Sequence, residues 1–282
     1  MWQPWKAIEL IKDANGYICL AKNKVTGEKC RFHTKIIIAA HGSWETGTLL
    51  AQLSHRPPKS SDLFGFKAHV QDGHLPLELM PLLVFPGGYG GMVQTDGNRI
   101  SLSCCIRRDK LLEIRRVLPK CSAAEAVLQH LRTSCLGVDN ALEGARSDGK
   151  WLSVGPIRPG IRSSPATGIF LVGNAAGEAH PIIAEGISIA MQSAWLLCQV
   201  LIPSYNMLED NKLLAQIAKQ YRASWRRKFL RRILASFIFA RLAMSPLAIF
   251  FILPVLKKYA SLLTFGAYFA GKTDQKSTAE LT

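Results

Sequence analysis

From Asn211 through Thr273 the chain holds no Asp or Glu, although 20 acidic residues are spread over the rest of its 282 positions. Within the same interval Lys219, Arg222, Arg226, Arg227, Lys228, Arg231 and Arg232 crowd together, and the formal net charge of the whole is +15. So basic a balance favours nucleic acid, an anionic membrane or an anionic ligand as partner. The Ser/Gly-rich or aromatic-interleaved pattern of a nucleic-acid arm is missing, and apolar sequence follows the basic block instead. Residues 219–256 are therefore expected to meet an anionic lipid surface, not nucleic acid.

Other absences narrow the reading further. The seven cysteines form no CxxC pair and no metal-ligand spacing, so neither a zinc site nor a disulfide framework is expected. Scattered thiols in apolar contexts read as reduced cysteines of a cytoplasmic protein. The opening "MWQPWKAIELIKD" contains no uninterrupted apolar stretch of the kind a secretory signal needs. Internal repeats and low-complexity segments are also lacking. With 48% hydrophobic and 20% charged residues, the chain can bury a core and is not a disordered one.

What is present alternates strand and helix. The first forty residues read as β structure, with turns at Asn15-Gly16 and Thr26-Gly27, and end in the apolar run Ile36–Ala40, which suits a fully buried parallel strand. "RPPKSSD" (56–62) marks a boundary. Strand patterns dominate from Phe64 to Arg108, with Asp96-Gly97 as a hairpin turn, and residues 109–146 turn helical. A long helix is expected from Glu185 to Leu201, with Ile187, Met191, Ala194, Trp195 and Cys198 along one face. The tail from Met207 reads as helical, broken at Pro246 and Pro254. Its apolar part, 233–256, carries Arg241 and two prolines, and Leu242–Leu256 falls short of the ~20 apolar residues of a membrane span. A buried or interfacial helix is expected there.

The most informative stretch is "FLVGNAAGEAHPIIAEGISIAM" (170–191). An apolar strand gives way to Gly173, Asn174, Ala175, Ala176 and Gly177, then Pro181, then Glu185 and Gly186 at a helix start. Small residues let a ligand approach the backbone, and a helix N-terminus offers unpaired N–H groups and partial positive charge. A phosphate or an electron-accepting ring fits such a place.

This stretch resembles the C-terminal flavin motif of the FAD-dependent monooxygenase and geranylgeranyl reductase superfamily, GDAAG…P…GEGI…A. Gly173, Ala175, Ala176, Gly177, Pro181, Glu185, Gly186, Ile187 and Ala190 match it. Asn174 stands where Asp is usual; its carbonyl oxygen can still accept a hydroxyl hydrogen bond, without the strength that charge adds. "TKIIIAAHGSWETG", with Gly42, is similar to the family's strand and loop near the adenosine end of FAD. "FPGGYGGMVQTDGNRISLSCCIRRD" is similar to its substrate-domain sheet. There Phe85, Gly88 and Tyr89 would line a substrate pocket, while a glycine-rich hairpin or bulge accounts for the same residues equally well.

The resemblance implies an α/β (α+β) chain: the remainder of a Rossmann-like FAD-binding domain, an antiparallel-sheet substrate domain and a helical C-terminal region. Its parts would be residues 1–55 (β-meander and strand), 56–165 (substrate sheet with helices), 166–205 (flavin motif and helix) and 206–282 (basic and apolar helices). It also implies FAD as cofactor, NAD(P)H as an electron donor, a lipophilic or aromatic substrate, and monooxygenase or alkene-reductase chemistry. The family's opening βαβ unit with G-x-G-x-x-G has no counterpart here, since the one glycine-dense run, Gly87–Gly91, lies between strands. The alternative is therefore a truncated, non-catalytic remnant, or a half that depends on a partner chain for its nucleotide-binding unit. No acid or base is singled out: His41 and His180 flank the candidate flavin loops, and a lone His is more often structural. Arg158 and Arg162 read as loop anchors.

Overall fold

The computed structural model describes residues 2–43, 49, 57–162, 167–208, 210–259 and 261–262. The expectations for Trp44–Gly47, for Arg56 and for the tail beyond residue 262 lie outside these residues.

Four strands come first: β1 (Trp5–Asp13), β2 (Gly16–Asn23), β3 (Lys29–Thr34) and β4 (Ile37–Ala39). The strands β5 (Leu63–Gln71), β6 (Leu82–Phe85), β7 (Gly88–Thr95) and β8 (Arg99–Arg107) follow. Three helices come next, α1 (Arg108–Val117), α2 (Ala123–Ser134) and α3 (Leu136–Ala141). Strands β9 (Arg146–Ser147), β10 (Leu152–Ile157), β11 (Gly160–Ile161), β12 (Ile169–Leu171) and β13 (Gly177–Glu178) lead to helices α4 (Gly186–Leu201), α5 (Asn211–Ala243) and α6 (Pro246–Lys258).

The chain divides into two compact units. The first comprises residues 1–56, 159–179 and 184–234. Strands β1, β2 and β3 form an antiparallel meander, with the turn at Asn15-Gly16 as expected. A side chain at Gly16 would sit 2.4 Å from the Thr34 carbonyl oxygen, so only glycine fits that corner. Strand β4 pairs in parallel with β12, Ile37 with Ile169 and Ala39 with Leu171. The parallel pairing agrees with the sequence, but full burial does not. Ile38 is 53% exposed, so that face of the strand is not covered, and among the described residues β4 pairs only with β12.

Helix α5 forms because its 33 residues are mostly Ala, Leu, Lys, Arg and Gln, without Gly or Pro. In this unit it buries Leu214, Ile217, Ala218, Tyr221, Trp225, Phe229 and Ile233, the stripe that a 3.6-residue period dictates. Lys219, Arg222, Arg226, Arg227, Lys228 and Arg231 take the exposed side. Helix α4 corrects the sequence reading of its face. Ile187, Met191 and Trp195 are exposed, and Ile189, Ser193, Leu197 and Leu201 are the buried stripe. The reason lies in Ser193, whose hydrogen bonds turn that side inward.

The second unit comprises residues 57–158, 180–183 and 235–282. Its antiparallel sheet runs β10-β5-β8-β7-β6, with β9 also on β5. Alternation along β8 separates two layers. Ile100, Leu102, Cys104 and Ile106 pack with α1–α3 through Leu111, Ile114, Val127, Leu131 and Val138. Cys105 faces the other way, with Tyr89 and Ala240. Helix α2 starts at a capping box, in which Ser122 and Glu125 bond each other's backbone N–H. At the far end, Pro246 does break the tail, and α6 leaves α5 at 101°. Pro254, expected to break it as well, lies inside α6.

Among the described residues one helical stretch, Gly186–Asn206, is long and apolar enough to cross a membrane by length and composition. The bent pair α5–α6 would count as a second only as one broken span.

Candidate functional site

In the first unit the flavin-like stretch winds around a hydrogen-bonded knot. The Gly173 N–H (3.1 Å) and Trp225 Nε1–H (3.0 Å) both donate to Ser193 Oγ. With both lone pairs taken, the Ser193 hydroxyl donates to Tyr221 Oη at 3.1 Å, and Tyr221 donates to the Leu171 carbonyl at 2.8 Å. Burial is the main cause that pushes the Tyr221 hydroxyl up to about 12, with the Ser193 bond acting weakly the other way. Every member is satisfied, and the Gly173 N–H ties the loop leaving β12 to this network.

The small residues of this loop serve packing first. Gly173 has φ +57, and a Cβ there would lie 3.1 Å from Ala190 Cβ of α4. A Cβ on Gly177 would lie 2.5 Å from the Trp225 ring. Ala175 and Ala176 are buried. Gly186 differs: it is exposed, and an added Cβ would meet nothing within 4 Å. The first turn of α4 therefore opens onto free space, without a side-chain cap on its N–H groups. Beside it Glu185 is only 7% exposed, and its Oε2 atom has no hydrogen-bond partner. Ala184, just before, is held at φ +53. Ile187 points outward.

A second cluster flanks the loop. Arg162 Nη2 donates to Glu178 Oε2 (3.2 Å), with both side chains about nine-tenths buried, and Arg162 Nη1 donates to the Asn174 carbonyl. Asn174 Nδ2 (3.3 Å) and Ser43 Oγ (3.0 Å) donate to Glu178 Oε1. Asn174 thus turns its amide nitrogen to Glu178, leaving its amide oxygen as the acceptor the sequence anticipated. Gly42, at φ +83, sets the corner before Ser43. A cavity of about 380 Å³ lies beside β4, lined in part by Trp5, Leu10, Cys19, Ile37 and His41.

The remaining predicted residues belong to the second unit. Pro181 opens a short 3-10 turn. Phe85 and Gly88 pair across the β6–β7 hairpin, and a Cβ on Gly88 would strike the Phe85 ring at 2.2 Å. Here the hairpin reading of Pro86–Gly91 describes the glycines. Tyr89 Oη lies 2.6 Å from His180 Nδ1, both residues buried, and the His180 N–H donates to Ser236 Oγ at 2.8 Å. Burial drives the His180 imidazole down to about 4, so it is neutral near pH 7. Neutral His180 and the Tyr89 hydroxyl share one hydrogen bond, whose donor is set by the imidazole tautomer. Arg158 anchors its loop by two hydrogen bonds to Asp62 (2.9 and 2.7 Å). Burial works to raise Asp62, but the hydrogen bonds and charge of Arg158 hold its carboxyl below the ordinary value.

The sequence reading missed Glu178, Ser43, Ser193 and the partnership of Tyr89 with His180. Glu178 and Ser193 carried a usable signal, each being a polar residue inside an apolar run. The others come together only through the fold.

Residues 146–246 match the squalene epoxidase family. No curated protein matches the chain in sequence. A myxobacterial chondrochloren halogenase, described as a variant of FAD-dependent halogenases, superposes with a TM-score of 0.61 at 17% identity, over 85% of this chain and 54% of that one. A flavin-dependent brominase gives 0.64 at 14% identity, over 95% and 65%. A geranylgeranyl bacteriochlorophyll reductase-like protein from Thermoplasma acidophilum gives 0.57 at 16% identity, over 94% and 69%. The chain spans about half the length of the halogenases it matches. At these identities the likeness is one of fold. The chain shares the fold of these FAD-dependent halogenase, flavin-dependent brominase and reductase-like structures.

Proposed function

We propose that the chain forms the flavin-ring end of an FAD-dependent oxidoreductase, of monooxygenase or alkene-reductase type, acting on a lipophilic or aromatic substrate. One observation carries the reading: the partnerless Glu185 Oε2 beside the open start of α4. A buried acceptor left unpaired costs about 1–3 kcal/mol, which a ligand bringing hydroxyl or N–H donors would recover. FAD has both kinds of donor, and its ring takes up negative charge that a helix N-terminus favours.

FAD would supply the redox chemistry, with electrons from NAD(P)H. The protein's share is to hold and orient. Glu185, the N–H groups of Gly186 and Ile187, and the Asn174 amide oxygen would hold the cofactor through hydrogen bonds. The Ser193 knot keeps Gly173 in place. In the second unit Phe85, Gly88 and Tyr89 would shape a substrate pocket, with the neutral His180 hydrogen-bonded to Tyr89.

The purified chain is expected to take up added FAD and keep an absorbance near ~450 nm through gel filtration. Glu185→Ala is expected to weaken uptake about tenfold, the worth of one buried hydrogen bond. A wild-type chain that stays colourless would sink this reading for the chain acting alone.

A second reading is favoured by the 53% exposure of Ile38 in the middle of a parallel strand. Parallel sheets are normally covered on both faces. In this reading FAD binds only when a further polypeptide supplies a nucleotide-binding unit alongside β4, and the chain alone is non-catalytic. FAD uptake only in a co-expressed complex would support it. The exposed basic side of α5 and the apolar α6 also support peripheral contact of residues 219–256 with anionic lipid, from a cytoplasmic location. Co-sedimentation with anionic but not neutral liposomes is the expected outcome.

A further inference from the structure

Helix α6 runs PLAIFFILPVLKK, and none of its residues is buried. A helix apolar all round belongs in a core or in lipid, so a fully unburied one calls for an occupant. One side of it is ordered. Pro246, Ile249, Phe250, Leu253, Pro254 and Lys257, spaced by three and four, form a single stripe that lines a cavity of about 630 Å³. The facing wall is the end of β6, Val84–Pro86. That wall is fixed: Phe85 is buried with its ring edge-to-face on His130, and His130 Nε2 lies 3.1 Å from the Pro86 carbonyl. Rigid wall, open helix and volume all match a small-molecule site of roughly 300–1,000 Å³.

Charge selects the occupant. Lys257 is the one charged residue among those lining the cavity, and it stands at the far end of the stripe from Pro246. No Asp or Glu occurs from Asn211 through Thr273 to repel an anion. The last turn of α6 carries partial negative charge, which Lys257 and Lys258 offset. Lys258 is directed over the Tyr259 ring at 5.3 Å, which leaves Lys257 to the groove. From Pro246 to Lys257 the helix rises about 16 Å at 1.5 Å per residue, the reach of an acyl chain of roughly a dozen carbons.

We infer that this groove binds a single-chain anionic amphiphile, with the tail along α6 against Val84–Pro86 and the carboxylate or other anionic head on Lys257. Treating that ligand as the substrate rests on the lipophilic-substrate proposal above. Binding itself does not, and the test contains no FAD, so either can fail alone.

The test titrates the ligand-free chain with dodecanoate, dodecanol and dodecyltrimethylammonium below their micellar concentrations, each displacing a dansyl-labelled undecanoate. Dodecanoate is expected to bind at least about threefold tighter than dodecanol at low salt, with the gap closing as salt screens Lys257. Lys257→Glu should reverse the order in favour of the cation. Phe250→Asp should weaken all three about tenfold by placing a charge in the apolar stripe. Both positions are exposed, and circular dichroism and melting temperature confirm that each variant folds. Equal binding of the three heads, an order unchanged by Lys257→Glu, or uptake of the label only onto added liposomes would overturn the inference. The last result would mark α6 as a bilayer-contacting helix instead.

Discussion

Helices α4 and α6 look alike in sequence, both rich in Ile, Leu and Met or Phe, yet one is stitched into a core and the other has no fully buried residue. The difference is one serine. Ser193 collects two N–H donors and passes its own proton to Tyr221, so its side of α4 must face inward. The more hydrophobic side, with Ile187, Met191 and Trp195, is left outside. Helix α6 has no such internal polar anchor, and its orientation is set by the Ser245 cap, where Oγ accepts from the Ala248 N–H, and by the 101° turn. In α4 the buried face is the one that carries the hydrogen-bonded serine. A buried hydroxyl must be satisfied, whereas an exposed isoleucine costs little.

That contrast can be broken at several points. The largest effect is expected at the buried ion pair of the first unit. Arg162→Ala leaves Glu178 charged and nine-tenths buried, and should destabilise by about 3–5 kcal/mol in urea unfolding. His180 comes next. Its folded value of about 4 lies below the ordinary 6.5, so between these values the unfolded chain binds a proton that the folded chain excludes. Stability from this group is complete above pH 6.5 and lost as pH falls to about 4, on the order of 3 kcal/mol. A His180→Gln variant should show a correspondingly flatter decline over that window.

Ser193→Ala strands the Gly173 and Trp225 donors and should cost about 2–3 kcal/mol. Phe250→Ser, at a side chain 72% exposed, should shift stability by less than about 0.5 kcal/mol. A loss there comparable to that at Ser193 would erase the distinction between the two helices.

Much of the fold was legible from local pattern. Turns at Asn15-Gly16 and Asp96-Gly97, the parallel strand at Ile37–Ala39 and the helix start at Glu185–Gly186 all follow from residue chemistry that acts over a few positions. The burial of Ile38 and the face of α4 were not legible, because each depends on which distant element arrives to cover it. Small residues were ambiguous for the same reason. Gly173 and Gly177 make room for Ala190 and Trp225, partners at 17 and 48 positions' remove, whereas Gly186 opens to space. Pro254 shows the limit of a propensity rule. It was expected to end the helix, but α6 continues through it to Lys258.

One paired measurement tests the role of Glu185 most directly. In ligand-free chain, Glu185→Ala removes a buried acceptor without a partner, so thermal unfolding should show equal or greater stability, by about 1 kcal/mol. The same variant should bind FAD about tenfold more weakly than wild type in a flavin-fluorescence titration. Stability gained with binding lost is the expected result. A variant that is less stable, yet binds FAD as wild type does, would contradict it.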